Sequence, residues 1–139
     1  MSAASLKPEE IAREKIDRAL KRAGWAVVSR EEYSPNLYAA AIKESLLKGQ
    51  HEADYMLFLE GKAIAILEAK RDDIDLETAA AEQAEAYAHE LMDWEAYWEK
   101  PLPFVYLANG NIILFKNLKD DEPKYVNLDT MHSPEQMAK

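Results

Sequence analysis

Apolar and polar positions repeat with two different periods in the first part of the chain, and these periods predict one helix and two strands. Over Pro8–Ala23 apolar residues recur every three or four positions, which predicts an amphipathic helix that Gly24 can end. The apolar run Trp25–Val28 predicts a short buried strand. A polar loop over 29–36 follows, and a further strand is expected around Tyr38–Ile42.

The next segment predicts a β-hairpin. Asp54–Glu60 and Ala63–Lys70 both read as strands, and the short polar link between them contains Gly61. A three-residue loop centred on Gly61 places Asp54 directly opposite Glu68. On the same face it aligns Met56 and Phe58 with Ile64 and Ile66.

A long helix is predicted after the hairpin. Asp72 and Asp73 interrupt the strand pattern, and Leu76 to about Glu99 is rich in Ala, Glu, Leu and Met without Gly or Pro. Pro101–Pro103 is expected to end this helix.

A second hairpin is predicted where Phe104–Leu107 and Ile112–Phe115 flank Asn109-Gly110. Tyr125-Val126 can end another strand, and residues 132–135, His-Ser-Pro-Glu, are typical of a helix start. The order helix, strand, hairpin, helix, hairpin predicts an α/β fold, in which a central mixed β-sheet is flanked by a helix on each face.

The acid end of the first hairpin is the main candidate for chemistry. Directly opposed residues have Cβ atoms about 4.5 to 5.5 Å apart, so Asp54 and Glu68 can share one divalent cation through oxygen ligands. Lys70 lies on the same face as Glu68 because side chains alternate along a strand. The alternative is a solvated strand end. Because a buried acid pair without a cation favours protonation, the pattern indicates a metal-dependent phosphodiesterase.

Two further groups of polar residues lie on the predicted helices. Gln83 and Tyr87 are four residues apart and therefore share a helix face; they form either a partly buried hydrogen bond or contacts to a phosphate or sugar near the metal. Glu9, Glu10 and Glu14 lie on the first helix, where acids ordinarily stabilise the helix dipole. One of the three is alternatively a third acid close to the metal.

Composition bounds the remaining possibilities. With 139 residues and 48% hydrophobic content, residues 1–139 are expected to form a single domain. The absence of cysteine excludes disulfides and thiolate zinc sites and favours the cytoplasm, and no apolar stretch is long enough to span a membrane. His51, His89 and His132 are isolated and are expected at the surface. Gly61-Lys62 lacks the neighbours of an ATP-binding phosphate loop.

Charge argues against tight DNA binding by this domain alone. The net charge is -9, and an acidic protein repels a phosphate backbone at long range. Another domain or polypeptide is therefore expected to deliver a nucleic-acid substrate.

Several of these residues together resemble a known family. Asp54, Glu68-Ala-Lys70 and Gln83-x-x-x-Tyr87 resemble the PD-(D/E)xK nuclease core with its QxxxY extension. More narrowly, the chain is similar to the N-terminal region of type I restriction enzyme R subunits, and the matching segments are 8–17, 23–25, 52–55, 66–70 and 131–135. Ala53 stands where the family often has Pro. The resemblance implies a restriction-endonuclease-like core.

The resemblance also implies roles for the residues that match. Asp54, Glu68 and the backbone carbonyl of Ala69 would bind Mg²⁺ or Mn²⁺, and Lys70 would orient the attacking water and stabilise charge on the phosphate. Gln83 and Tyr87 would be supporting contacts to DNA or to Lys70. Glu9 best matches the acid of the family's first helix, with Glu10 and Glu14 as rivals.

The implied function is cleavage of double-stranded DNA in a type I restriction-modification system. The implied partners are a motor domain of the same subunit, through which alone ATP would act, and the modification and specificity subunits. No membrane partner is expected. Two alternatives remain open: a non-catalytic docking or DNA-binding module that kept the fold, and a free-standing repair-type nuclease.

Overall fold

One seven-stranded mixed sheet forms the centre of the molecule. The computed structural model describes residues 8–71, 75–93 and 95–138, without the side chains of Glu9 and Ala79. Asp72 and Asp73, predicted to interrupt the strand pattern, lie outside the described residues. The strands are β1 Ala26–Val28, β2 Ala39–Leu46, β3 Glu52–Leu59, β4 Lys62–Ala69, β5 Phe104–Ala108, β6 Ile113–Asn117 and β7 Val126–Leu128. The α-helices are α1 Pro8–Ala23, α2 Leu76–Tyr87 and α3 Pro134–Met137, and a 3₁₀ helix, Lys48–Gln50, lies between β2 and β3.

The strands are arranged in the order of the chain. β1 pairs with β2 and β4 pairs with β5 in parallel, and all other neighbours are antiparallel. Both parallel pairs are joined by connections longer than a tight turn, as parallel strands require. The predicted α/β class with a central mixed sheet is confirmed.

A helix covers each face of the sheet. Ile16 and Leu20 of α1 belong to one buried cluster, together with inward-facing residues such as Tyr55 of β3. Ala80 and Ala84 of α2 belong to the other cluster. β3 and β4 are therefore buried on both sides, which explains why their sequences are almost continuously apolar.

The turn between β3 and β4 has two residues, and the predicted three-residue loop is wrong. Glu60 and Gly61 have φ angles of 52° and 80°, and Leu59 pairs with Lys62. Positive φ at both central positions is the requirement of a type I′ turn, whose twist matches that of a hairpin.

A β-bulge compensates for the shorter turn. Phe58 pairs with Ala63 but Leu57 pairs with Ala65, so that Ile64 is the extra residue. Ile64 consequently packs in the cluster on the α1 side, and the prediction that it faces Met56 and Phe58 is wrong. Beyond the bulge the pairing of Tyr55 with Leu67 has the predicted register.

The helix predicted to run to about Glu99 ends at Tyr87. The chain beyond it makes backbone hydrogen bonds to the start of β4: Ala63 N–H donates to the Ala96 carbonyl oxygen, and Trp98 N–H donates to the Ala63 carbonyl oxygen, both at 2.9 Å. Leu91, also beyond the end of α2, is fully buried in the cluster that contains Ala80 and Ala84. Tertiary pairing here outweighs helix propensity, which is a weak preference.

The last third of the chain follows its predicted elements with shifted ends. The side chain of Asn109 accepts hydrogen bonds from the N–H groups of Asn111 and Ile112, so β6 begins at Ile113. Ser133 and Gln136 form a capping box at the start of α3. In the described part of the chain no helix is both long and apolar enough to cross a membrane.

Candidate active site

Asp54 and Glu68 lie side by side where β3 begins and β4 ends. The N–H of Asp54 donates to Glu68 Oε2, and the N–H of Ala69 donates to Asp54 Oδ2, each at 2.8 Å. Each carboxylate is thus held by the backbone of the opposite strand. The structure brings together the two acids that the sequence placed opposite each other.

Glu68 is buried beside another acid. Only 2% of the surface of Glu68 is exposed to solvent. Burial in the first place, and the neighbouring charge of Asp54 in the second, raise the pKa of Glu68 to about 8. Lys70 and Arg13 act in the opposite direction without cancelling these effects. A cation would relieve this repulsion, so the two carboxylates suit a metal ion that prefers hard oxygen ligands, such as Mg²⁺ or Mn²⁺.

Arg13 of α1 reaches the acid pair and was missed by the sequence reasoning. Its Nη2 donates to Asp54 Oδ1, and the guanidinium carbon lies 5.8 Å from the centre of the Tyr55 ring. One turn later Asp17 accepts a hydrogen bond of 2.5 Å from the Tyr55 hydroxyl. Polar residues at positions 13 and 17, next to the apolar face of α1, were the available signal.

Gln83 and Tyr87 form a hydrogen-bonded pair on α2. Gln83 Nε2 donates to the Tyr87 hydroxyl oxygen at 2.9 Å. Tyr87 is only 8% exposed, whereas Gln83 is exposed. Burial first, and then the charge of Glu68, raise the pKa of Tyr87. The phenol therefore lies within electrostatic range of the acids, and its hydroxyl is held by Gln83.

Lys70 follows the last residue of β4 and is fixed by the neighbouring strand. Its N–H donates to the carbonyl oxygen of Ala108 at 2.9 Å, and Ala69 pairs with Ala108 in the parallel ladder. The backbone of Glu68, Ala69 and Lys70 is thereby held by β5 on one side, while Glu68 is tied to β3 on the other.

Among the described side chains, no acid of the first helix adds a third carboxylate to Asp54 and Glu68. Glu10 and Glu14 are exposed, and the side chain of Glu9 lies outside the described residues. Among the residues that the structure describes, no three His, Asp or Glu side chains are grouped so that they could hold a metal ion. The candidate ligands are therefore Asp54, Glu68 and a backbone oxygen such as that of Ala69.

The histidines only partly follow the prediction of surface positions. His89 is exposed, and His51 contacts Glu90 at 2.5 Å at the surface. His132 is instead partly buried: its Nδ1 hydrogen-bonds the Tyr106 hydroxyl at 2.8 Å, and its ring packs edge-on against Phe115. Burial lowers the pKa of His132, so the prediction for this residue is wrong.

A solved structure has a similar fold. The type IIG restriction endonuclease BpuSI matches with a TM-score of 0.56 and 19% sequence identity, over 89% of this chain and 13% of that chain. At this identity the likeness shows the fold, and it confirms the restriction-endonuclease-like core predicted from the sequence. No curated protein matches the sequence.

A family model matches most of the chain. The model describes the type I restriction enzyme EcoKI endonuclease subunit second domain, and it matches residues 33–138. The matched segment begins after α1 and β1 and includes both acids, Lys70, Gln83 and Tyr87. The predicted relation to a type I restriction enzyme endonuclease subunit is confirmed at this level. The chain belongs to the family of the second domain of the type I restriction enzyme EcoKI endonuclease subunit.

Proposed function

We propose that this chain is the nuclease domain of a restriction enzyme subunit and cleaves double-stranded DNA in a metal-dependent reaction of the PD-(D/E)xK type. The observation that carries the proposal is the reciprocal bonding of Asp54 and Glu68 at the end of a buried hairpin, with Lys70 two residues further on. Membership of an endonuclease subunit family supports DNA as the substrate.

Asp54, Glu68 and the carbonyl oxygen of Ala69 would hold Mg²⁺ or Mn²⁺. The bound ion supplies positive charge to the phosphate and lowers the pKa of its water. The residues fit such an ion because two carboxylates lie side by side, and burial and the Asp54 charge raise the pKa of Glu68 although Arg13 and Lys70 are near.

The other residues of the site have electrostatic and positioning roles in this proposal. The ammonium group of Lys70 stabilises negative charge on the phosphate and orients the attacking water. Tyr87, held by Gln83, supports Lys70 or the DNA backbone. Glu9 is proposed as the acid of the first helix, with Glu10 and Glu14 as its alternatives.

Residues 1–139 are proposed to be one domain of a larger restriction subunit. The net charge of -9 favours delivery of DNA by other parts of the assembly. In this proposal a motor domain of the same subunit uses ATP, and modification and specificity subunits select the DNA. The order of domains in the full reading frame tests this directly.

The first experiment is cleavage of supercoiled plasmid with Mg²⁺ or Mn²⁺. We expect nicking or linearisation by the wild type and a loss of at least about 10²-fold in Asp54→Ala and Lys70→Ala. Glu60→Ala and Lys62→Ala change the same charges at the other end of the hairpin and should retain activity. Full activity in Asp54→Ala would refute the assignment.

Calorimetry with Mn²⁺ tests the same site without needing turnover. The wild type should bind Mn²⁺, and Asp54→Ala and Glu68→Ala should not. The main alternative is a non-catalytic docking module with a nuclease fold, which the strongly acidic charge favours. Such a module has no reason to bind metal at these two acids, so an absence of binding by the wild type selects it.

A free-standing repair-type nuclease is the other alternative. It would show the same metal binding but would lack helicase motifs in the downstream reading frame.

A further inference from the structure

We propose that a basic groove beside the candidate active site binds the phosphate backbone of DNA. The basic groove is a cavity of about 780 Å³ between α1, the loop 109–112 and the segment 128–136. This inference rests on the proposed function for the identity of the ligand, but its residues are separate from Asp54, Glu68 and Lys70.

Three cations of α1 line the groove. Lys15, Arg18 and Arg22 follow each other at intervals of three and four residues, so they lie along one side of the helix. Arg18 and Arg22 are exposed, and neither has an ion-pair partner among the described residues. Asp129 is the one carboxylate that the described lining contributes. The groove is therefore locally basic in a protein of net charge -9.

Neutral polar and apolar residues line the remaining sides of the groove. Asn111 lies in the loop between β5 and β6, and Thr130 lies in the segment after β7. Asn and Thr side chains, like Arg and Lys, are among the groups that contact phosphate and sugar in protein–DNA complexes. The lining combines charge with hydrogen-bond donors in a concave surface, as phosphate binding requires.

The groove begins next to the candidate active site. Lys70 N–H donates to the carbonyl oxygen of Ala108, and the groove-lining loop starts at the following residue, Asn109. On the other side, α1 contacts the acid pair through Arg13 and lines the groove further along. At 3.6 residues per turn Arg13 and Arg22 lie on opposite sides of α1, and Arg13 does not line the groove. The loop that begins at Asn109 is therefore the place where the groove and the candidate active site adjoin.

Helix stabilisation explains only part of this pattern. Cations in the last turn of a helix interact favourably with its dipole, which accounts for Lys21 and Arg22. That effect falls off within one turn, so it does not account for Lys15 or Arg18, and it gives no reason for a cavity on the same side of the helix.

The test is binding of a fluorescent DNA duplex, measured by anisotropy in EDTA at about 20 mM salt with the full 139-residue chain. We expect Arg18→Ala/Arg22→Ala to weaken binding about tenfold or more. It should also reduce the slope of log K against log salt by up to about 1.8, since each phosphate contact contributes about 0.9. The matched control is Lys21→Ala/Lys124→Ala, which removes the same charge from exposed positions outside the groove and should change binding less than twofold.

Three results overturn the inference. One is equal weakening in both double variants, which shows only a general charge effect. Another is an absence of binding by the wild type at low salt. The third is displacement of the duplex by polyglutamate as efficiently as by unlabelled DNA, which assigns the groove to an acidic polypeptide instead.

Failure of this inference can be distinguished from failure of the proposed function. Arg18→Ala/Arg22→Ala should still bind Mn²⁺ like the wild type, because its changes lie outside the acid pair. Loss of DNA binding with intact Mn²⁺ binding supports the groove. If the wild type binds DNA more tightly than the double variant but does not bind Mn²⁺, the groove stands and the metal site is refuted.

Discussion

Glu68 links the proposed chemistry to the stability of the fold. Burial, followed by the charge of Asp54, raises the pKa of Glu68 from an ordinary 4.5 to about 8. The folded state then holds a proton at Glu68 more tightly than the unfolded chain does. The stabilisation from this proton is complete below pH 4.5 and is lost as the pH rises through about 8.

Glu68→Gln should remove this pH dependence. The amide stays neutral at all pH values and can still accept the hydrogen bond from the Asp54 N–H, so without metal we expect the variant to exceed the wild type in stability at pH 8.5 by on the order of 1 to 3 kcal/mol. At pH 4.5 the two should be similar. Urea unfolding at both pH values measures the difference. For Glu122→Gln, an exposed control, the free energy of unfolding should change with pH as it does in the wild type. The same change with pH in all three proteins would contradict the raised pKa of Glu68.

Arg13 competes with a metal ion for Asp54 if the proposed function is correct. Its guanidinium already occupies Asp54 Oδ1. We expect Arg13→Gln to bind Mn²⁺ roughly three- to tenfold more tightly in calorimetry, since up to about 1.4 kcal/mol corresponds to tenfold. Arg30→Gln removes another arginine paired with an acid of β3, Glu52 at 3.3 Å, and serves as the control. Weaker binding in Arg13→Gln instead assigns Arg13 a supporting role in the site.

At the scale of elements, local patterns predicted most of the fold. The bounds of α1 were correct because helical periodicity and Pro8 lie within the segment and Gly24 follows it directly. The end of α2 was wrong because it depends on hydrogen bonds between Ala63 and the chain beyond residue 95. Arg13 was missed for the same reason, since its partner is 41 residues away in sequence. Contacts between residues distant in sequence leave little local signal, which for Arg13 was only the polar positions 13 and 17 beside the apolar face of α1.

The type I′ turn carries a strain that a single substitution can remove. Glu60 has a φ angle of 52°, which is unfavourable for most side chains, whereas Asn tolerates it and Asn-Gly is the preferred pair in this turn. We expect Glu60→Asn to increase the free energy of unfolding by roughly 0.5 to 1 kcal/mol, measured by urea denaturation. Glu122→Asn changes the same exposed residue type at a position outside the positive-φ region and should have no such effect. Equal gains in both variants would point to charge reduction instead.

For the whole molecule, we expect added salt to raise the stability of the fold and to weaken DNA binding. At -9 the folded chain repels itself, and an increase from 0.01 to 0.15 M salt shortens the Debye length from about 30 to about 8 Å. We expect this increase in NaCl to raise Tm by roughly 2 to 5 °C in calorimetry. The same change should weaken DNA binding at the basic groove. A fall in Tm would show that surface ion pairs outweigh self-repulsion, although such pairs usually contribute little.

The compensation between turn and bulge in the β3–β4 hairpin has a consequence for engineering. A three-residue loop without a bulge and the observed two-residue turn with Ile64 bulged out use the same number of residues, so both leave Asp54 and Glu68 in the same alignment. Removing Ile64 restores regular alternation from Ala63 onward and keeps Leu57 opposite Ala65. The bulge can thus absorb a change of one residue near the turn without moving the acid end. If the proposed function is correct, deletion of Ile64 should leave Mn²⁺ binding at Asp54 and Glu68 unchanged in calorimetry.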